Sequence, residues 1–142
     1  MNNFNKDLEF GEKVERYCIK FLKNRYGTLK KAEGEFKYYD LYNDTIKLEV
    51  KFDRESIHTG HLVVETSYRG SQSGVMDTQA DRWIEIFGFY GIWYMADISV
   101  ASLREYISEA SRIKGGDNKQ SSMVLLDIEP FMDRFSTCIE SL

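Results

Sequence analysis

The sequence predicts a mixed α/β fold: a mixed central β-sheet with an antiparallel hairpin meander, flanked by helices. Three observations carry this. Apolar residues recur at helical spacing over 6–26. Two aromatic and β-branched runs, 36–42 and 45–53, meet at Asn43-Asp44. After residue 77, helix-like and strand-like stretches alternate.

The elements follow in order. Phe10, Val14, Tyr17, Cys18, Phe21 and Leu22 form one stripe of the first helix, which Gly27 is placed to stop. A short strand is expected near Leu29–Ala32. FKYYDLY and TIKLEVKFD then form a hairpin, and HLVVETSY (61–68) completes a three-stranded meander. The Gly/Ser-rich stretch 69–76 is expected to be an exposed loop. Asp77 or Thr78 caps a predicted helix to about Phe87, and 88–98 reads as a buried strand. Ser99 or Ser102 caps a helix to about Arg112, 115–122 reads as a loop, Met123–Ile128 as a strand, and Pro130 opens a last helix.

The chain has 142 residues, one proline and no internal repeat, which suits one domain spanning 1–142. Its two cysteines, Cys18 and Cys138, have no metal-site spacing and read as buried thiols in a reducing compartment. The polar start MNNFNKDLEF is unlike a signal peptide, and no apolar run is long enough to span a membrane. A cytoplasmic protein is expected. The net charge of −4 argues at first against nucleic acid. However, residues 76–142 hold eleven acidic and six basic groups, so the deficit lies mainly in that half.

The informative segment is Asp40…Glu49-Val50-Lys51. With an even turn centred on Asn43-Asp44, Asp40 faces Lys47 and Tyr38 faces Glu49. Asp40, Lys47, Glu49 and Lys51 then share one face, with Asp40 diagonal to Glu49. The other face, Tyr39, Leu41, Ile46, Leu48, Val50 and Phe52, is apolar and reads as core. Two carboxylates beside a lysine, with no histidine near, suit a hard cation such as Mg²⁺, with Mn²⁺ as substitute. The same residues also fit an exposed cross-strand ladder of ion pairs with no function.

Asp40…Glu49-Val50-Lys51 resembles the metal motif of the PD-(D/E)XK nuclease superfamily. Gly11-x-x-x-Glu15-x-x-Cys18-x-x-Phe21-Leu22 resembles the first helix of its archaeal Holliday-junction-resolvase-like branch. The resemblance covers roughly residues 8–98 and departs from the family at Tyr39, where the name-giving proline would stand, and at Cys18. It implies a restriction-endonuclease-like fold and an Mg²⁺-dependent DNA endonuclease, probing branched or duplex DNA as a homodimer. It further implies that Asp40, Glu49 and the Val50 position hold the metal, that Lys51 is the catalytic lysine, and that Glu15, or its rival Glu12, completes the site. A non-catalytic nucleic-acid-binding or protein-interaction domain, or a restriction-type or nicking enzyme, are the alternatives.

Around this centre, Glu65, one strand further on, is a further candidate acid if its face matches that of Glu49. Lys47, Arg54 and Arg69, with Ser71 and Ser73 of the 69–76 loop, are candidate backbone contacts for nucleic acid. His58 and His61 are candidate phosphate contacts, as is the helix N-terminus expected at Thr78.

Overall fold

A computed structural model describes residues 11–34, 38–109, 112–115 and 121–142, with the backbone alone at 11–12 and 112–115. The expected helical residues 6–10, the first two positions of the 36–42 run, the Glu12 side chain and most of the 115–122 loop lie outside the described residues. The first helix, α1 (Gly11–Phe21), is followed by a short α2 (Lys23–Tyr26) that ends at Gly27, whose φ of 81° a side-chain-bearing residue rarely adopts.

The architecture is mixed α/β, with a mixed central sheet flanked by helices. Its six strands are β1 (Lys30–Lys31), β2 (Leu41–Tyr42), β3 (Lys47–Asp53), β6 (Arg82–Phe89), β7 (Ile92–Ser99) and β10 (Ile139–Ser141), in the order β1-β2-β3-β6-β7-β10. Every neighbouring pair is antiparallel except β3 and β6, which run parallel. A second sheet has the order β5-β4-β9-β8, from β4 (His61–Tyr68), β5 (Ser71–Gln72), β8 (Arg112–Gly115) and β9 (Ser121–Asp127). Short α3 (Ser56–Thr59) precedes β4. α4 (Val100–Ser108) and α5 (Ile128–Arg134) follow β7 and β9.

The central sheet is buried on both faces. Leu48 of β3 and Ile84 and Ile86 of β6 pack with Val14 and Cys18 of α1 and with Leu22 just after it. Trp83 and Phe87, of opposite parity on β6, pack with Leu62, Val64, Val124 and Leu126 of the second sheet and with Leu103 and Phe131 of α4 and α5. Burying about two dozen apolar side chains in two such layers is the main stabilising term, at roughly 1.5–3 kcal/mol for each large one fully buried.

Five expectations are corrected. The meander exists, but its members are β1, β2 and β3, because 61–68 leaves for the second sheet. Residues 82–89 form strand β6, not a helix. Both faces of RWIEIFGF are buried, so the period-two signal that marks a strand is absent from it. The run 88–98 is a hairpin, folded at Tyr90-Gly91, and Arg112 belongs to β8, since α4 ends at Ser108. The 69–76 stretch is no loose loop: Arg69-Gly70 turns β4 into β5, and Val75 is fully buried. Ser99 caps α4 as expected, accepting the Ser102 N–H at 3.1 Å.

Candidate functional site

The site is built on the β2 side of β3, just beyond the last β2 pair. Register comes first. Leu41 pairs with Leu48 and Tyr42 with Lys47, two residues out from the expected pairing. Asn43 causes this. Its Oδ1 accepts the N–H groups of Thr45 and Ile46 at 2.9 and 3.0 Å, and its Nδ2 donates to the Tyr26 carbonyl at 2.8 Å. That side chain fixes a four-residue loop instead of a two-residue turn. A slip of two keeps every β3 side chain on its expected face.

Asp40, however, leaves the face it was expected to share with Lys47, Glu49 and Lys51. It sits in a bend, its N–H bonding the Leu48 carbonyl one residue out of step with the ladder. Its Oδ2 accepts the Val50 N–H at 2.8 Å, so the carboxylate stands where a strand carbonyl would. In a strand, one residue's N–H and C=O point to the same side. The Val50 carbonyl therefore points to the edge that Asp40 occupies.

The remaining groups straddle that edge. On the α1 side, the Glu15 and Asp40 carboxylates both act on the same buried thiol, Cys18. Burial pushes Cys18 well above the usual thiol range, and the charges of Glu15 and Asp40 push it further. On the opposite side, Glu49 reaches Thr78, whose hydroxyl lies 3.3 Å from Glu49 Oε2. Tyr38, Glu49, Gly74, Asp77 and Thr78 line a polar cavity of about 150 Å³ there. Lys51 is exposed on the same face.

Next to Lys51 lies a pair that periodicity did not single out. Asp53 and Glu85 are both buried, and each carboxyl shifts the titration of the other. Burial raises both above their ordinary values. Glu85 is raised further by the Asp53 charge, which favours its protonated form. Asp53 also accepts the Val63 N–H at 2.9 Å, and Glu85 accepts Trp83 Nε1–H at 3.0 Å. Lys51 opposes both upward shifts. The signal was legible in retrospect: Asp53 continues the alternation Glu49, Lys51, and Glu85 is a lone charge in an apolar run.

The outlying candidates are dispersed. Glu65 lies in the second sheet, not beside β3. Its carboxylate accepts the Ser73 and Ser121 hydroxyls at 2.8 and 3.0 Å. Lys47, Arg54 and Arg69 are exposed, each over a ring: Tyr39 at 5.3 Å, Phe52 at 5.5 Å and Tyr68 at 5.2 Å. Ser71 is exposed on β5. His58 is exposed, and His61 Nδ1 lies 3.0 Å from Asp127. With 82–89 a strand, no helix N-terminus exists at Thr78.

The donor set at the β3 edge, carboxylates and a backbone carbonyl, is the chemistry a hard cation takes. Among the described residues, no three His, Cys, Asp or Glu side chains gather closely enough to hold a metal by themselves. Mg²⁺ does not require three, because one or two carboxylates and several waters suffice. No described helix is long and apolar enough to cross a membrane. No protein-family model, curated protein or solved structure matches the chain.

Proposed function

We propose that the chain is a divalent-metal-dependent DNA endonuclease of PD-(D/E)XK type with a restriction-endonuclease-like core. The observation that carries the reading is the Asp40–Val50 contact. It brings an acidic side chain to the β2 side of β3, the side to which the Val50 carbonyl points, with Glu49 and Lys51 flanking Val50. The antiparallel β1-β2-β3 meander with β6 parallel to β3 supports the fold part of the reading.

In this reading Asp40, Glu49 and the Val50 carbonyl hold Mg²⁺ or Mn²⁺, with Glu15 supporting from α1. The bound ion supplies a lowered water pKa and a polarised phosphate. The residues of the chain do the rest. Lys51 holds its charge beside the reacting phosphate, where its ammonium offsets developing negative charge. Thr78 orients Glu49 by hydrogen bonding. Buried Asp53 and Glu85 lie near Lys51, whose positive charge favours their ionised forms. Lys47, Arg54 and Arg69 offer charge to the DNA backbone. A second copy of the chain would present a second site to the opposing strand of a branched substrate.

The test is a cleavage assay on linear duplex, single-stranded, flap and four-way-junction DNA with Mg²⁺, Mn²⁺ or chelator. Metal-dependent cutting that Asp40→Asn, Glu49→Gln and Lys51→Met each abolish, with unchanged circular dichroism, is expected. Absence of cutting on all four substrates, or variants that cut like the parent, would overturn the reading in favour of a non-catalytic binding domain.

A further inference from the structure

A second site lies far along the central sheet from Asp40, at the tip of the β6–β7 hairpin. Phe89, Tyr90, Tyr94, Glu129, Met132 and Asp133 line a groove of about 420 Å³, within the range of specific ligand sites. Tyr94 is a fixed wall, stacked on the buried Phe87 ring at 5.6 Å. Phe89 and Tyr90 meet edge to face at 4.5 Å. Glu129 and Asp133 stand one turn apart on α5, so their carboxylates share a face. Neither has an ion-pair or hydrogen-bond partner among the described residues.

Two features of Tyr90 are unfavourable for folding alone. Its side chain is 86% exposed. Its φ is +49° and that of Gly91 is +75°, the left-handed pair of a two-residue hairpin turn. That turn favours Asn-Gly, and a bulky aromatic at its first position is strained. Strain held at an exposed ring points to a use for the ring.

We propose that this groove binds an arginine side chain in a basic segment of a partner protein. Ring faces and carboxylates both attract a cation. Binding one would relieve the repulsion between Glu129 and Asp133. An anionic ligand would meet two carboxylates, and a purely apolar one would desolvate them without compensation. The choice of guanidinium follows the chain's own habits. Arg54, Arg69 and Arg134, with Lys47 the one lysine, lie over aromatic rings at 5.2–5.5 Å among the described residues, and Arg25 and Arg82 both bond Asp97 at 2.6 Å. The planar fork stacks on a ring and bonds a carboxylate at once. The acidity of residues 76–142 is consistent with a basic partner at this end.

The test is titration of the full chain with acetylated tetra-arginine amide, followed by calorimetry and amide NMR shifts. Saturable binding is expected, with shifts at Tyr90, Gly91, Glu129 and Asp133. Tyr90→Asn, which suits the turn better, and the pair Glu129→Gln with Asp133→Asn should each weaken it by about tenfold. Lack of saturable binding, binding unchanged in both variants, or equal binding of tetra-glutamate would overturn the site. Equal affinity for tetra-lysine would overturn the guanidinium assignment, and equal affinity for free arginine would overturn the partner segment.

Discussion

The Asp40 carboxylate closes the edge of β3 by accepting the Val50 N–H at 2.8 Å. One residue thereby serves the sheet and presents a charge at the proposed site. These roles separate by substitution. Asp40→Asn keeps an acceptor for Val50 and should leave the melting temperature nearly unchanged. Asp40→Ala leaves that N–H to water, at a cost of about 1 kcal/mol. Both should lose metal-dependent cleavage. Thermal melts beside the cleavage assay check this, and an Asn variant that melts as low as Ala would refute it.

Glu85 gives the fold a pH dependence of definite sign. Its folded carboxyl titrates well above the ordinary value of 4.5, through burial and then the Asp53 charge. Above 4.5 the unfolded chain has released this proton while the folded chain keeps it. Stability from this group therefore falls as pH rises, until the folded carboxyl itself ionises. Glu85→Gln retains an acceptor for Trp83 without the titration. Denaturant melts from pH 4 to 8 should show the variant gaining on the parent as pH rises. A constant difference across that range would refute the assignment.

Asp97 anchors the α1–α2 end to the sheet. Only 3% exposed, it takes Arg25 and Arg82 at 2.6 Å and the Tyr26 hydroxyl at 2.5 Å. Burial and the Asp97 bond push Tyr26 up to about 12. Arg25 also pairs with Glu140 of β10. Asp97→Ala strands these donors and should cost about 3–5 kcal/mol, measured by urea unfolding. A loss below 1 kcal/mol would show that the network is dispensable.

Gly74 has no room for a methyl group. An added Cβ would stand 2.3 Å from the Glu65 carbonyl oxygen, at a φ of +55°. Gly74→Ala should therefore destabilise by at least about 2 kcal/mol and loosen the Ser73–Glu65 contact. Unfolding midpoints read the first effect, and amide exchange in β5 reads the second.

Legibility in the sequence followed burial. The α1 stripe and β3 were readable because each has one wet side. β6 was not, since Ile84 and Ile86 feed one core and Trp83 and Phe87 the other, which erases alternation. Leu62 and Val64 read correctly as strand residues, but nothing local says that their partners are Leu126 and Val124. At the site, the acidic and basic groups flanking Val50 were visible as a pattern. The Asp40 contact was not, because it depends on a four-residue loop set by Asn43. Asp53 and Glu85 escaped because their meeting depends on β3 lying parallel to β6.

The connection between parallel strands β3 and β6 has a consequence for biosynthesis. It contains β4, whose main partner, β9, is made some sixty residues later, at Leu62–Leu126. While the ribosome is still adding 121–127, the core face of β6 lacks the β9 part of its second-sheet cover. Trp83, Phe87, Leu62 and Val64 are then exposed together. Loop closure of that length slows folding, and exposed strand edges invite association between nascent chains. A chain stalled before residue 121 would therefore lack Val124 and Leu126, which complete the core around Trp83, Phe87, Leu62 and Val64.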